Sequence, residues 1–351
     1  MLKKWKTALP VLLAALLLAG CGGNPGNSSA SSETPSSGVS SSATAVEGEE
    51  ENFFVDAVTL EEVELEDEMI ALTGAPALSK NLVPQASGTK VEKSSKATID
   101  YSNTKDGYVM VRYTAQTTKK LKVQVIGPHA PKPYIYNIAA GEWVTFPLSD
   151  GNGNYTIKVM ENTKDNLYAA VATAKITVQL TDEFAPFLRP NQYVDYEEAT
   201  NTIAQAQKLI GKETDTMKKV QKVYEYVVKN FSYDYDLASN VSSGKITSYL
   251  PDLDSALKKK KGICFDYAAL MTGMLRSQGV PCKLVVGYAG ESYHAWINVW
   301  SEESGWMDAA IYFDGHSWQR MDPTFASTSK SSEKIMKFIG DGENYNPMYF
   351  Y

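Results

Sequence analysis

Several features that define common protein classes are scarce in this 351-residue chain. Three cysteines are too few for a disulfide-stabilised scaffold. The net charge of −7 argues against nucleic acid as a partner, because phosphate backbones require clustered Lys and Arg. After the first twenty residues no apolar run is long enough to span a bilayer as a helix. Neither Cys-x-x-Cys nor His-x-x-x-His spacing occurs, so the sequence indicates no metal and no organic cofactor.

The N-terminus has the features of an export signal. Lysines precede a short apolar stretch, residues 9–19, which ends in small residues ahead of Cys21. The tetrapeptide Leu18-Ala19-Gly20-Cys21 resembles the bacterial lipobox, and this implies that Cys21 is lipidated and becomes the first residue of the mature chain. We therefore predict that residues 1–21 comprise a lipoprotein signal peptide and the lipidated Cys21. A lipid anchor would hold the protein on the cell membrane, facing outside the cytoplasm.

The next segment, residues 22–95, is predicted to be largely disordered. Its first part consists mostly of Gly, Asn, Ser, Thr and Ala, a composition that buries too little apolar surface to offset the entropy of ordering the backbone. Acidic residues gather in two groups further on, with apolar residues between them. We interpret the segment as a tether between the membrane and the folded part.

Residues 96–182 show the alternation of period two that is typical of half-buried strands. One run places Val109, Val111 and Tyr113 on one face, and further runs repeat the pattern. Turn-forming pairs such as Asp-Gly and Gly-Pro separate the runs. Several short strands in one segment predict an all-β sandwich of immunoglobulin-like type, although the Cys-Trp-Cys pattern of antibody domains is missing.

The pattern changes after Pro190, and residues 190–351 are predicted to form an α+β domain. Apolar residues at helical spacing predict one helix over residues 196–210, ended by Gly211. A second helix is expected to have Asp215 or Thr216 as its N-cap. Further along, a basic run is followed by another helix and then by strands. The change from period two to helical spacing therefore marks a second domain.

Cys264 is the first candidate catalytic residue. It precedes the apolar stripe of a predicted helix, so it lies at the helix N-terminus, where unpaired N–H groups and the helix dipole favour the thiolate. The lysines at 258–261 add positive charge nearby. Because thiol chemistry proceeds through the thiolate, this position suits a nucleophile.

A histidine and an aspartate are the partners that a thiol nucleophile needs. His294 opens a predicted strand whose alternate residues point to the core, and its imidazole can face a neighbouring helix end. The chain has three histidines, and the other two, His129 and His316, lie in predicted turns. An aspartate at a strand end is able to orient an imidazole and hold its tautomer, and both Asp322 and Asp308 fit that description.

These motifs, in this order, resemble the transglutaminase-like core of bacterial proteins. The resemblance covers about residues 190–325 and rests on Gly262-Ile263-Cys264, Gly279-Val280-Pro281, Val285-Val286-Gly287-Tyr288, His294-Ala295-Trp296 and Asp322-Pro323-Thr324. It implies a papain-like fold in which a Cys-His-Asp triad performs acyl transfer on amides. By this match Cys264 is the nucleophile, His294 the base and acid, and Asp322 the orienting carboxylate.

Two features depart from the family's pattern. The stretch from His294 to Asp322 is long, and we predict an inserted hairpin in it, with its turn at Asp314-Gly315. This insertion leaves Asp308 open as an alternative to Asp322. The second departure is Cys282, which lies where the family often has an apolar or small residue.

The resemblance implies an enzyme that acts on peptide or protein amides, cell-wall peptides included. His294 would take the thiol proton and give it to the leaving amine. The Cys264 N–H would donate to the oxyanion, and Tyr233 is a candidate for the second donor. Water as the acceptor gives a protease or amidase, whereas an amine gives a cross-linking transglutaminase. The sequence leaves this choice open.

Three alternatives compete with the enzyme. One is a metal site formed by Cys264, Cys282 and His294. Another is a disulfide between Cys264 and Cys282, which would silence the nucleophile. The third is a non-catalytic binding or adhesion lipoprotein on a transglutaminase-like scaffold, whose aromatic residues stack on sugars or peptides. The tail, residues 327–351, is expected either to pack back on the domain or to cover the cleft.

Overall fold

The computed structural model describes residues 46–47, 82–307, 311–313, 318–320, 324 and 344–351. The lipidation site Cys21, the triad member Asp322 and its alternative Asp308 lie outside the described residues, as does most of the predicted tether. What the sequence indicates for them stays a prediction. Among the described residues, none of the helices combines the length and the hydrophobicity that a membrane crossing requires.

Nine strands form two antiparallel sheets in the N-terminal part of the described chain. Their bounds are β1 Val46–Glu47, β2 Val91–Lys93, β3 Ala97–Asp100, β4 Tyr108–Tyr113, β5 Leu121–Ile126, β6 Tyr134–Ile138, β7 Val144–Pro147, β8 Gly153–Lys164 and β9 Leu167–Val178. One sheet has the order β1-β9-β8-β5-β6, and the other has the order β2-β3-β4-β7. The runs of period two therefore predicted strands correctly.

Side chains along these strands alternate between buried and exposed positions. In β9, Ala172, Ala174 and Ile176 are buried, and the residues between them are exposed. Val109 of β4 and Val123 of β5 have no exposed surface, so each sheet contributes a buried face. Burial of one such side chain stabilises the fold by roughly 1.5–3 kcal/mol relative to exposure. The immunoglobulin-like type of this all-β part stays a prediction.

Five α-helices follow in the described part of the chain. Their bounds are α1 Thr200–Ile210, α2 Thr216–Asn230, α3 Tyr235–Ser242, α4 Leu253–Lys259 and α5 Cys264–Ser277. Gly211 ends α1 with a φ of 59°, a left-handed value that glycine adopts without strain. The Asp215 carboxylate accepts a 2.9 Å hydrogen bond from the Lys218 N–H at the start of α2. This bond confirms one of the two predicted N-caps.

The start of α1 differs from the prediction. The helix begins at Thr200 rather than at Tyr196, and its first amides are capped by another helix. The Asp254 carboxylate of α4 accepts hydrogen bonds from the backbone N–H groups of Asn201 and Thr202 at 3.2 and 2.8 Å. Tyr196 is instead buried ahead of the helix. A cap that comes from a distant part of the chain leaves no local sequence signal.

A second set of strands accompanies the helices. Their bounds are β10 Ser232–Tyr233, β11 Lys261–Gly262, β12 Cys282–Ala289, β13 Ser292–Ser301, β14 Gly305–Met307, β15 Ile311–Phe313, β16 Trp318–Arg320 and β17 Tyr345–Phe350. Strands β14-β13-β12-β17 form an antiparallel sheet, β10 pairs with β11 in parallel, and β15 pairs with β16. Helices and sheet together confirm the α+β prediction.

Two predictions for the sequence after β13, the inserted hairpin and the position of the C-terminal tail, can be compared with the structure. The β15–β16 pair confirms the inserted hairpin, although its turn lies outside the described residues. Strand β17 shows that the end of the tail packs back on the domain, as an edge strand beside β12.

Helix α5 is the centre of the α+β domain. Every residue from Cys264 to Arg276 is buried. The helix packs against α1, α2 and α4 and against strands β12 and β13. A helix that is buried all round is typical of a domain core. The packing of the whole domain therefore sets the position of Cys264.

Tyrosine side chains join the two parts of the chain. Tyr134 and Tyr136 of β6 contact the Tyr351 ring, with centroid distances of 5.6 and 5.7 Å. Tyr193, between the two parts, lies 5.2 Å from Tyr136 and 4.7 Å from Tyr351. Aromatic pairs of this kind contribute about 0.5–1.5 kcal/mol beyond the burial of their surface. The β-sheet part is therefore packed against the α+β part as well as linked to it by the chain.

Candidate active site

Cys264 is the first residue of α5 and has no exposed surface. Its predicted place at a helix N-terminus is thereby confirmed. The preceding residue, Ile263, is the N-cap and has an extended backbone. Its N–H donates a 2.8 Å hydrogen bond to the Asp266 carboxylate, so the third residue of the helix closes the first turn. This is the backward-reaching half of a capping box.

Asp266 is held by two further contacts. The Tyr249 hydroxyl donates a 2.7 Å hydrogen bond to its other carboxylate oxygen. Gly262 packs so closely that a Cβ at residue 262 would lie 2.6 Å from the Asp266 Cβ. Burial raises the pKa of Asp266, and the hydrogen bonds from Tyr249 and Ile263 oppose that rise. In the Gly-Ile-Cys motif, Gly262 therefore makes room for the carboxylate that caps α5.

Tyr233 lies beside the same turn. The parallel pair β10–β11 places Tyr233 opposite Gly262. The Tyr233 side chain is buried, and its hydroxyl has no hydrogen-bond partner among the described residues. Burial above all, and then the electrostatic effect of the neighbouring Cys264, raises the pKa of Tyr233, so the hydroxyl keeps its proton. A neutral donor with an unused hydrogen therefore lies near Cys264.

His294 lies near the start of β13 and is only 1% exposed. It pairs with Gly287 of β12. Its ring stacks on that of Trp296, with a centroid distance of 6.1 Å and an interplanar angle of 21°. The Tyr345 ring lies 6.4 Å from the imidazole. The alternate residues of β13 belong to the main hydrophobic core, as the strand pattern predicted.

The connection between α5 and β12 brings Cys264 and His294 to the same end of the domain. The loop 278–281 is short, so the packed helix and strand run in opposite directions. The 14 residues of α5 span about 20 Å in one direction. Strand β12 returns about 17 Å between Cys282 and Gly287. Because His294 pairs with Gly287, the imidazole belongs to the end at which α5 begins.

Cys282 lies at the other end of β12. Its thiol is 3.6 Å from the Thr272 hydroxyl, and burial raises the pKa of Cys282 to about 12. Cys264 and Cys282 are both free thiols. No three His, Cys, Asp or Glu side chains in the described part of the chain are placed to hold a metal ion. Cys264 and Cys282 therefore do not form the disulfide that the sequence left as an alternative.

Two residues at the site were not singled out from the sequence. Asp266 had an available signal, because an acidic residue in the first turn of a helix is a known feature of helix starts. Tyr345 had no such sequence signal, since it reaches His294 only through the pairing of β17 with β12. Of the predicted triad, Cys264 and His294 are described and Asp322 is not. Thr324, just after Asp322, is buried.

Comparisons with known proteins agree with the motifs. Residues 203–323 match the model of the transglutaminase-like superfamily. A protein-glutamine gamma-glutamyltransferase of Pseudomonas aeruginosa is 26% identical over 106 residues, which are 26% of this chain and 14% of that protein. UPF0252 protein MJ1282 of Methanocaldococcus jannaschii is 27% identical over 167 residues, which are 43% of this chain and 47% of that protein. The chain spans less than half the length of either relative.

A solved structure was also compared with this chain. The periplasmic domain of TgpA from Pseudomonas aeruginosa has a TM-score of 0.31 and 15% sequence identity, covering 66% of this chain and 92% of that chain. The family model begins within α1 and extends past β13, so it includes both Cys264 and His294. Residues 203–323 of this chain therefore belong to the transglutaminase-like superfamily.

Proposed function

We propose that this chain is a lipid-anchored thiol acyl-transfer enzyme that acts on amide bonds of peptides or proteins. The observation that carries the proposal is the position of Cys264, a buried thiol at the first residue of α5. The direction of the chain through α5 and β12 supports placing His294 at the same end of the domain. A helix N-terminus stabilises negative charge, which suits a sulfur nucleophile. Membership of the transglutaminase-like superfamily supports the same chemistry.

In the proposed reaction the Cys264 sulfur attacks the carbonyl carbon of the amide. His294 accepts the thiol proton and then donates it to the nitrogen of the leaving amine, so that protons balance. The carbon–nitrogen bond breaks and a thioester links the acyl group to Cys264. Asp322 is proposed to orient the imidazole and to stabilise the imidazolium that forms.

Two donors are proposed for the oxyanion of the tetrahedral intermediate. One is the Cys264 N–H, since the first amides of a helix have no partner within it. The other is the Tyr233 hydroxyl, which is buried and has no partner among the described residues. A buried donor without a partner costs roughly 1–3 kcal/mol, and an oxyanion would satisfy it. Stabilisation that arises only in the transition state raises kcat.

The second half of the reaction depends on the acceptor. Water releases the acid and restores the thiol, whereas a primary amine forms a new amide. Protease or amidase activity and transglutaminase activity are therefore two outcomes of one thioester. The Pseudomonas aeruginosa relative is a protein-glutamine gamma-glutamyltransferase, so we take glutamine-containing peptides as the first substrates to test.

The rest of the chain fits display at the cell surface. Cys21 is the proposed lipidation site, and residues 22–95 are the proposed tether, apart from strands β1 and β2, which they contribute to the sheets. The two N-terminal sheets are proposed to form an immunoglobulin-like sandwich over residues 96–182. Because its tyrosines pack against the α+β domain, we propose that the sandwich holds that domain in a fixed position and is not a flexible spacer.

The test is alkylation of the full chain with iodoacetamide, measured by peptide mass spectrometry. Cys282 serves as the internal control because its thiol stays protonated at neutral pH. We expect Cys264 to react about 10-fold or more faster than Cys282 at pH 7, and His294→Ala to remove this advantage. An acyl adduct of Cys264 with a glutamine-containing peptide would then identify the reaction. Slow alkylation of both thiols contradicts the enzyme and favours the binding lipoprotein.

A further inference from the structure

The last strand of the chain belongs to the sheet that carries His294. In that sheet Gly287 of β12 has His294 on one side and Pro347 of β17 on the other. The register between β12 and β17 shifts at Val286 and Gly287, and a shift of this kind bends the strand. Gly287 permits this approach, because a Cβ there would clash with the Asn346 carbonyl oxygen.

The bend brings the Tyr345 ring to the face of the sheet that His294 occupies. Its centroid lies 5.1 Å from that of Trp296, edge to face, and 6.4 Å from the imidazole. Trp296 also stacks on the imidazole, at 6.1 Å. Two aromatic rings from different strands therefore contact the His294 ring.

The other end of β17 is held by the rest of the molecule. The Arg276 guanidinium donates a 2.6 Å hydrogen bond to the Tyr351 carbonyl. Tyr351 also exchanges backbone hydrogen bonds of 2.8 and 3.0 Å with Leu284 of β12. The Tyr349 ring lies 5.3 Å from that of Tyr134 in the N-terminal sheets. The hydrogen bonds of Tyr351 with Arg276 and Leu284 hold this end of β17 and so set where its first residue, Tyr345, meets His294.

We propose that Tyr345 is a positioning residue for His294, holding the imidazole in the orientation that exchanges a proton with Cys264. The inference rests on the proposed role of His294 as the base. Rotation about the last torsion of histidine is broad and roughly two-fold, and a half-turn of the ring puts carbon atoms where the two ring nitrogens were. Packing against an aromatic ring favours one orientation over the other by about 2- to 10-fold.

A small change in ring orientation has a large effect on proton transfer. The transfer requires the nitrogen and the sulfur to be within hydrogen-bond reach, and misplacement by about 1 Å lowers rates by up to about 100-fold. Tyr345 contacts the ring of the base, and we infer that it acts through His294. Trp296 lies on the same strand as His294, whereas Tyr345 supplies a contact from outside that strand.

The test compares three variants of the full chain. Tyr345→Leu removes the ring, Tyr345→Phe keeps it, and Tyr349→Leu is the matched control. Tyr349 is on the same strand, but its ring contacts Tyr134 and Tyr351. Cys264 alkylation by iodoacetamide is measured together with the ring resonances of His294 in carbon-13-labelled histidine samples. A His294→Gln variant assigns those resonances, and thermal unfolding confirms that each variant is folded.

We expect Tyr345→Leu to slow Cys264 alkylation by about 3- to 10-fold and to shift the His294 resonances. Tyr345→Phe and Tyr349→Leu should stay within about 2-fold of wild type in the same alkylation assay. Unchanged alkylation and unchanged resonances in Tyr345→Leu overturn the inference. Equal slowing in Tyr345→Phe also overturns it, because the effect would then come from the hydroxyl and not from the ring.

Failure of the proposed function has a different signature. If His294 is not the base, His294→Ala leaves the alkylation rate of Cys264 at the wild-type value. In that case the alkylation rates no longer report on the ring, and the His294 resonances alone test whether Tyr345 orients the imidazole. If these resonances shift in Tyr345→Leu but not in Tyr345→Phe, the result still supports orientation of the imidazole by the aromatic ring of Tyr345.

Discussion

The Arg276 guanidinium donates a 2.6 Å hydrogen bond to the Tyr351 carbonyl and so ties the central helix to the last strand. The carbonyls of Cys282 and Arg189 accept from the same guanidinium, each at 2.8 Å. Arg276 is fully buried, and burial lowers the pKa of its guanidinium below the usual value. Three backbone carbonyls therefore solvate a buried cation and join α5, β12, β17 and the segment between the two parts of the chain.

Arg276→Lys is expected to lower the free energy of unfolding by about 2–4 kcal/mol, because an ammonium cannot reach three carbonyls arranged around a planar fork. Urea unfolding followed by tryptophan fluorescence measures the change. Arg112→Lys is the matched control, since Arg112 is exposed, and it should change stability by about 0.5 kcal/mol or less. Equal stability of Arg276→Lys and wild type would contradict this account of the cation.

Cys282 is expected to make stability depend on pH in the alkaline range. Burial raises the pKa of Cys282 to about 12, whereas an unfolded thiol titrates near 8.5. The folded chain therefore holds this proton more strongly than the unfolded chain does. Its contribution to stability is complete below about pH 8.5 and declines as the pH rises toward 12. The difference in unfolding free energy between wild type and Cys282→Ala, followed from pH 7 to 10, should shrink as the pH rises. A constant difference would count against the raised pKa.

Asp266→Asn is expected to disturb the start of α5. The carboxylate accepts hydrogen bonds from both the Ile263 N–H and the Tyr249 hydroxyl, whereas an amide offers only one oxygen. We expect a loss of about 1–2 kcal/mol in stability and slower alkylation of Cys264. Asp252→Asn is the control, because Asp252 caps α4 through a single bond to the Ser255 N–H and Asn is an equally good N-cap. Equal effects of the two substitutions would contradict the special role of Asp266.

Glu161 is expected to make stability depend on pH in the acidic range. Hydrogen bonds from Lys119, Tyr113 and Lys96 lower the pKa of Glu161 to about 2. Since the folded pKa lies below the unfolded value of about 4.3, the contribution is present above that pH and is lost as the pH falls toward 2. Its size is on the order of 1–2 kcal/mol, because both lysine side chains are half exposed.

To test this, the free energies of unfolding of wild type and Glu161→Gln are measured in urea between pH 6 and pH 2. Wild type should be the more stable protein at pH 6, and the two should converge as the carboxylate is protonated. A gap that stays the same size down to pH 2 would show that the ion pairs do not set the pKa of Glu161.

Tyr233→Phe is expected to lower kcat by about 100-fold or more while the protein stays folded. Removing a buried hydroxyl that lacks a partner should leave stability unchanged or slightly increase it. The measurement is steady-state transfer or hydrolysis with a glutamine-containing peptide, beside urea unfolding. Tyr249→Phe is the contrast, since it breaks the bond to Asp266 and should lower stability. A Tyr233→Phe enzyme with wild-type kcat would assign the second oxyanion donor elsewhere.

Most elements of the fold could be predicted from the sequence because their signals are local. The alternation of Val109, Val111 and Tyr113 needs only neighbouring residues, and it predicted β4. The N-cap Asp215 likewise lies next to the helix it caps. The start of α1 was wrong by four residues because its cap, Asp254, comes from α4. A rule that counts neighbours along the chain does not detect such a cap.

In the candidate site, too, some features could be predicted from local sequence and others depend on tertiary structure. Sequence alone determined that Cys264 opens a helix, that His294 lies on a strand and that their motifs match the transglutaminase-like order, because helix starts, strand alternation and short motifs are local signals. Tertiary structure decided that Cys282 is a separate, protonated thiol and that Tyr345 contacts the imidazole. Both facts depend on burial and on pairing between strands far apart in the chain. Close packing of the whole domain sets those distances, and no local pattern encodes them.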